Sequence, residues 1–392
     1  MNYKNANNIL PENLVQEIQR YVQGEYIYIP IKDKATNTAP TEYIIELKKR
    51  NEHIFTKSLE GVSNRELANM YHLSESSIRR IIVEQRKGYK MMYSRIQQVI
   101  DEWTIGKLDI KQIYDSAWQI GEEAVLKVYD DCDMLQRNIK MLTILKQMEI
   151  PVGKIIRTKS EKAYVKDDKY FYILSEKLQG SNLTDIHKNS KIASEMGRVL
   201  AKLHIAFKEC EKQEEFWNNS LLQEMKGWIK DVFTKNGWKY IDEDKFICTV
   251  DKLECLYEKL PVQLIHRDVH LGNFLFYNDK FSGYIDFDLS QRNIKIFDLC
   301  YFMLGLLSEE ELLDISEEHW FDILKYFFEG YEQEIKLSAE EKQAVPYVME
   351  SIELLFAAWF LEQDDIKCAE DAMRIFKFVE KNEEKVLKTI NA

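Results

Sequence analysis

Apolar positions change their period several times along the chain, and each change marks an element. Leu14, Val15, Ile18, Tyr21 and Val22 recur at helical spacing and stop at Gly24. The β-branched and aromatic run 26–29 ends at Pro30, as a short strand does. A further helix is predicted over about 41–59. Between Gly61 and Lys87 two short helices are predicted around a tight turn. Leu67, Ala68 and Tyr71 form the inward face of the first, and Ile78, Ile81 and Ile82 that of the second, with Asn64 and Ser74 as caps. From about residue 96 strands and helices alternate. Residues 107–113, 119–120 and 124–130 read as strands, 134–147 as a helix, 170–180 as a strand running into a turn, and 193–204 as another helix. A hairpin comes next, with apolar strands 274–277 and 281–285 around Asn278, Asp279 and Lys280. The last third is helical. Residues 347–361 are apolar on most faces, which predicts a central core helix.

Composition narrows what this arrangement can be. The 392 residues are 45% apolar and 31% charged, ordinary for a globular protein with room for two or three domains. No apolar run approaches the ~20 residues of a membrane span, and the N-terminus has no basic stretch followed by an apolar one, so no secretory signal is expected. Six scattered cysteines without a CxxC pair and seven unclustered histidines point to reduced thiols in a cytoplasmic protein, not to a structural zinc site. Residues 1–95 carry 15 Lys and Arg against 11 Asp and Glu, whereas the remainder holds 39 against 55. The first part suits a polyanion and the second a cationic or neutral ligand. A bipartite chain is expected.

The chemistry concentrates in LIHRDVHLGNFLFYNDKFSGYIDFD, residues 264–288. If the hairpin turns at Asp279 and Lys280, residues whose numbers sum to about 559 face each other. Asn273 and Asp286 then sit side by side and offer one neutral and one anionic oxygen, as a magnesium ion on nucleotide phosphates requires. Asp268, in the loop before, can accept a hydrogen bond from an incoming hydroxyl and aim it at the γ-phosphate. HRDVHLGN followed by YIDFD resembles the aminoglycoside phosphotransferase and choline kinase superfamily, relatives of the protein kinases. A protein kinase usually has lysine two residues after the aspartate and glycine after the Asp-Phe pair. His270 and Asp288 stand there instead.

The resemblance implies an α+β, bilobal protein-kinase-like fold, with an N-lobe over 96–178 and a mainly α-helical C-lobe over 179–392. It implies magnesium, ATP or GTP as co-substrate, and a small hydroxyl-bearing acceptor. Asp268 is then the catalytic group, Asn273 and Asp286 the metal ligands, and Lys127 in AVLKVYD the lysine that neutralises the α- and β-phosphates. The backbone of Ser175, Glu176 and Lys177 would hold a purine edge. Ser116, in a loop over 114–118 that lacks the family's glycines, would lend its hydroxyl to phosphate. His266 and Asp298 brace the catalytic loop, and His204 lies beneath it as a structural residue. The family's acidic partner for Lys127 falls near Asn138, which has no charge, so a hydrogen bond or another carboxylate must hold the lysine. Glu350, Glu353, Glu362, Asp364 and Asp365 read equally as the lining of an acceptor pocket, favouring an amine-bearing acceptor, or as a solvated face. Trp217 and Trp228 could stack on a sugar or fill the core, and the core is the expected place.

Residues 9–90, from the first helix through GEYIYIP to the two short helices, are similar to Mor-type transcription activators. This likeness implies a helix-turn-helix whose Ser76, Arg79 and Arg80 face DNA, with Lys87 and Lys90 near phosphates. It also implies a homodimer paired through the strand 26–29. The expected protein is a small-molecule phosphotransferase fused to a DNA-binding domain over 1–95. The alternative is a ligand-sensing transcription regulator whose kinase-like domain has little activity, and protein phosphorylation is a third reading.

Overall fold

The computed structural model describes residues 50–391, apart from 52, 56, 59–60, 72–74, 107–108, 115, 184–185, 187–189, 279 and 309–315. The predicted helix at 14–22, the pairing strand at 26–29 and most of the helix at 41–59 lie outside the described residues, as does Ser74, the expected cap of the second short helix. Residues 43–392 make one compact unit.

Helix α1 (Asn64–Met70) starts from a capping box one residue earlier than expected. The Ser63 hydroxyl accepts from the Glu66 amide, and the Glu66 carboxylate accepts from the Ser63 amide. Helix α2 (Glu75–Val99) packs Ile78, Ile81 and Ile82 against Leu67, Ile54 and Phe55 in a small core. It does not end near Lys87 but continues to Val99, 25 residues in all. Its last turns bury Ile96 and Val99 with Trp103, Trp118, Leu126 and Leu174. Arg95 pairs with Asp167 at 3.0 Å, and the Trp103 indole donates to the Ile156 carbonyl at 2.9 Å. The domain boundary expected between residues 95 and 96 therefore falls inside a helix shared by both apolar clusters.

The sheet beyond it contains β1 (Ile110–Gln112), β2 (Ala117–Ile120), β3 (Ala124–Tyr129), β4 (Ile155–Ile156), β5 (Val165–Asp167) and β6 (Tyr170–Glu176), in the order β1-β2-β3-β6-β4 with β5 beside β6. The β1–β2 connection is tighter than the predicted loop. Tyr114 and Ala117 close it with reciprocal amide–carbonyl bonds of 3.1 and 3.2 Å. Trp118, expected in that loop, is a fully buried residue of β2. Helix α3 (Cys132–Gln147) comes after β3 and is capped by the Asp131 carboxylate.

The larger lobe is mainly helical. Strand β7 (Ser181–Asn182), α4 (Ser190–Glu211), α5 (Glu243–Tyr257), β8 (Val262–Ile265), β9 (Phe274–Tyr277), β10 (Lys280–Tyr284) and β11 (Gln291–Ile294) lead to α6 (Ile296–Ser308), α7 (Glu317–Glu332), α8 (Ala339–Glu362) and α9 (Ile366–Lys381). Helix α8 is long and apolar enough to span a membrane, but 89% of its most apolar window is buried in this lobe. It is the predicted core helix. Helices α4 and α7 cross backbone to backbone: a Cβ on Gly197 would stand 1.9 Å from the Phe327 carbonyl oxygen, and one on Gly330 1.9 Å from that of Ser194. Trp228 packs against the core as expected, whereas Trp217 is 74% exposed.

Candidate functional site

Strand β8 delivers the chain to a loop whose backbone is fixed from below. Asp298, in the first turn of α6 and fully buried, accepts from the amides of His266 at 2.8 Å and Arg267 at 2.9 Å. Arg267 takes a left-handed backbone, φ +74°, in which few side chains are comfortable. The same carboxylate meets His204 Nε2 at 3.0 Å, and Nδ1 of that ring meets the Tyr331 hydroxyl at 2.8 Å. Burial holds the His204 pKa below its ordinary value against the pull of Asp298. A neutral ring donating from Nε2 and accepting at Nδ1 satisfies both bonds. His266 reaches the Ile285 carbonyl at 3.2 Å and so joins the loop to the end of the hairpin.

The hairpin brings Asn273 and Asp286 together, but in a different register from the one expected. Tyr277 faces Lys280 and Phe276 faces Phe281. After a bulge between Phe281 and Gly283, Leu275 faces Gly283 and Phe274 faces Tyr284. The tight turn is possible because Asn278 adopts φ +52°. The Ile285 amide donates to the Asn273 carbonyl at 3.1 Å, so Asp286 leaves the ladder beside Asn273 with φ +62°. The Asn273 side-chain NH2 donates to the Asp268 carbonyl at 2.9 Å and to its carboxylate at 3.2 Å. The amide oxygen is left as the atom that can meet a metal. The other Asp268 oxygen accepts from the Tyr301 hydroxyl at 3.1 Å, a partner the sequence did not disclose. His270 Nδ1 accepts from the Gly272 amide at 3.1 Å, which places its proton on Nε2, 3.6 Å from Asp268.

Lys127 crosses from β3 to this loop. Its ammonium lies 2.9 Å from Asp286 and 2.5 Å from Asp288. Burial works against the charge, yet Asp288 above all outweighs it and holds the lysine pKa well above its ordinary value. Asp288 also accepts from the Tyr129 hydroxyl at 3.0 Å and the Asn138 side chain at 2.5 Å. Asn138 thus contacts the lysine's carboxylate rather than the lysine. Among the described residues no three His, Cys, Asp or Glu side chains cluster as a metal cage. The donor set instead fits a hard cation held by one carboxylate, one amide oxygen and the phosphates of a nucleotide.

The remaining expected residues divide. The Glu176 amide donates to the Lys154 carbonyl at 2.8 Å and the Lys177 amide to the Glu123 carbonyl at 2.7 Å. Both amides are thus engaged with neighbouring backbone at the end of β6. The Ser175 hydroxyl leans on the Val125 carbonyl at 3.4 Å. Ser116 ends the tight turn before β2, where its carbonyl accepts from Val128, next to Lys127, at 2.7 Å. The acidic residues do not form one face: Glu350 and Glu353 are buried in α8, while Glu362, Asp364 and Asp365 are exposed. An aromatic row runs from Tyr301 to Phe356 at 5.9 Å and on to Phe360 at 6.3 Å, beginning at the residue that holds Asp268. On α2, Arg79 and Arg80 are exposed and Arg79 pairs with Glu75 at 3.1 Å, whereas the Ser76 side chain lies outside the described residues.

Residues 112–334, more than half of the chain, match the family model described as Phosphotransferase enzyme family. Among curated proteins the chain is 26% identical to homoserine kinase of Nitrobacter winogradskyi over 168 residues, 41% of this chain and about half (48%) of that protein. It is 37% identical over 86 residues to the uncharacterized protein YraL of Bacillus subtilis, 21% of this chain and 97% of YraL. Its fold is similar to an amicoumacin kinase solved with AMP-PNP and Ca2+, at a TM-score of 0.56 and 17% identity, covering 77% of this chain and 96% of that one. A microcompartment-associated aminopropanol kinase gives 0.54 at 16% identity, with 75% and 98% covered. An aminoglycoside 2'-phosphotransferase solved with GDP gives 0.54 at 14%, with 76% and 99% covered. At these identities the likeness is one of fold, a kinase-like arrangement of mixed helix and sheet.

Proposed function

Because the chain belongs to the phosphotransferase enzyme family, we propose that it moves the γ-phosphoryl group of ATP or GTP to a hydroxyl of a small molecule. The observation that carries this reading is the convergence of four side chains from separate elements: Asp268 with Asn273 at 3.2 Å, and Lys127 with Asp286 at 2.9 Å. Asp286 and the Asn273 amide oxygen would hold a magnesium ion, which would supply charge neutralisation at the nucleotide phosphates. Lys127 steadies the phosphates from the N-lobe side. Asp268, aimed by Tyr301 and Asn273, accepts the proton of the acceptor hydroxyl and orients its oxygen toward phosphorus. Rate enhancement then comes mainly from placement and charge neutralisation. The neighbours named for aminopropanol and aminoglycosides support an amine-bearing alcohol as acceptor class, with the Tyr301–Phe356–Phe360 row as the surface it meets. The test is transfer from Mg-ATP and Mg-GTP to a panel of aminoglycosides, amino alcohols and sugars. Asp268→Asn is expected to lower turnover by more than about 10²-fold while keeping magnesium-dependent stabilisation by nucleotide. Equal nucleotide binding with and without magnesium in the parent protein sinks the reading.

We further propose that α1 and α2 bind DNA, since Arg79 and Arg80 stand exposed on a helix whose Ile78, Ile81 and Ile82 are buried. Arg79→Ala and Arg80→Ala should each flatten log affinity against log salt by about 0.9 for every phosphate the arginine neutralises. The full chain is titrated with its own promoter duplex and random duplex over a salt series. Absence of binding to either at low salt removes this role.

A further inference from the structure

The lysine proposed to bind phosphate is held across the two lobes, and its role in phosphotransfer is the premise here. Asp286 and Asp288 both reach one ammonium, so this short loop brings two negative charges to one positive. The two carboxylates are not equivalent. Asp286 has a side chain 42% exposed and Asp288 one only 25% exposed. Asp288 is fixed by three donors, the Lys127 ammonium, the Tyr129 hydroxyl and the Asn138 amide. Displacing it would leave those donors short of an acceptor, which is costly where they are buried. Asp286 is the more exposed of the two and stands beside Asn273, so it is the carboxylate a cation can draw away.

We propose that Asp288 is the counter-ion that positions Lys127, that Asn138 and Tyr129 clamp it there, and that Asp286 passes from the lysine to the metal when nucleotide binds. Position 138 is then an amide for a physical reason. A carboxylate there would be a third negative charge around one ammonium and could donate nothing to Asp288. Asn138 donates without adding charge. The lysine's anchor and the metal-binding aspartate consequently stand two residues apart on one C-lobe loop, and α3 contributes one of the clamp's two neutral donors. Nucleotide phosphates and metal are aligned by a single segment.

Two measurements on the full chain test this. The first is acylation of lysines in the nucleotide-free protein from pH 7 to 10, followed peptide by peptide by mass spectrometry. Asp288→Asn is expected to make Lys127 label about tenfold faster at pH 8.5, because the ammonium loses the nearer of its two carboxylates. Asn138→Ala, a milder change that removes one donor and no charge, should raise the rate about threefold. The second is Mg-ATP affinity: Asp288→Asn should weaken it about tenfold, and Asn138→Glu combined with Asp288→Asn should bring it back to within about threefold of the parent. A merely structural aspartate gives no such rescue. Unchanged Lys127 labelling in both single variants, or a double variant binding no better than Asp288→Asn, overturns the proposal. A parent protein that binds no Mg-ATP removes the phosphotransferase reading instead, and the labelling still decides whether Asp288 holds the lysine.

Discussion

Tyr301 donates to one oxygen of Asp268 at 3.1 Å while the Asn273 amide holds the other at 3.2 Å, so the aim of this carboxylate is set by two groups on different elements. Tyr301→Phe removes one donor and keeps the ring against Phe297 and Phe356. Its expected effect is a fall in kcat of about tenfold, the worth of one hydrogen bond to a charged group, with KM for nucleotide nearly unchanged. Steady-state kinetics with Mg-ATP varied decides. A larger change in nucleotide KM than in kcat would place Tyr301 in the nucleotide site. Asp268, Asn273 and Asp286 were legible in the sequence because one short string holds them and hairpin pairing is a local rule. Their partners were not. Tyr301 lies 33 residues from Asp268 and Asn138 lies 150 from Asp288, and which side chains meet at that range depends on how α3 and α6 pack.

Among the elements, the apolar stripes located α1, the start of α2, the hairpin strands and α8. They failed where local and tertiary signals disagree. The second short helix was expected within the segment ending at Lys87, and Gly88, which follows, is a poor helix-interior residue. Helix α2 nevertheless runs through them, since Ile96 and Val99 gain burial under the sheet only if the helix continues. Trp118 was placed in a phosphate-covering loop over 114–118 by the family resemblance, yet its ring fills the same cluster. The hairpin was placed correctly but its bulge was not, as alternation alone cannot announce one extra residue. One further feature had no periodic signal. Gly197 and Gly330 let α4 and α7 touch backbone to backbone, and those helices carry His204 and Tyr331, the pair leading to Asp298. The loop that carries Asp268 is therefore supported by a crossing that only missing side chains permit.

At the scale of the whole molecule, alternating strands and helices before a helical third announced mixed α and β structure, and the resemblance carried by residues 264–288 supplied the two-lobed arrangement. The state of its acids was not readable, because a glutamate in an apolar helix looks the same whether it borders a pocket or lies in the core. Glu350 and Glu353 are buried, and burial pushes their carboxyls up to about 7 and about 8. The Thr249 hydroxyl, Lys245 and Lys252 oppose the first shift and Arg374 the second. In the unfolded chain both titrate near the ordinary value of about 4.3. Above that pH the unfolded chain has released protons that the folded one still holds, so folding is progressively disfavoured. The contribution of these groups is therefore complete below about pH 4 and is lost as pH rises to 7 or 8, at up to ~1.4 kcal/mol per pH unit for each group. Above about pH 8 the loss levels off. Glu383, whose carboxyl is held below its ordinary value by Tyr347 and Lys252 despite burial, acts in the opposite sense at lower pH. Glu353→Gln removes the larger of the two raised groups and keeps its shape. It is expected to raise the Tm above that of the parent at pH 8 and to leave the two proteins nearly equal at pH 5. Thermal unfolding from pH 5 to 8.5 checks this, and a Tm difference that stays constant across that range would show that Glu353 is charged in the folded protein throughout.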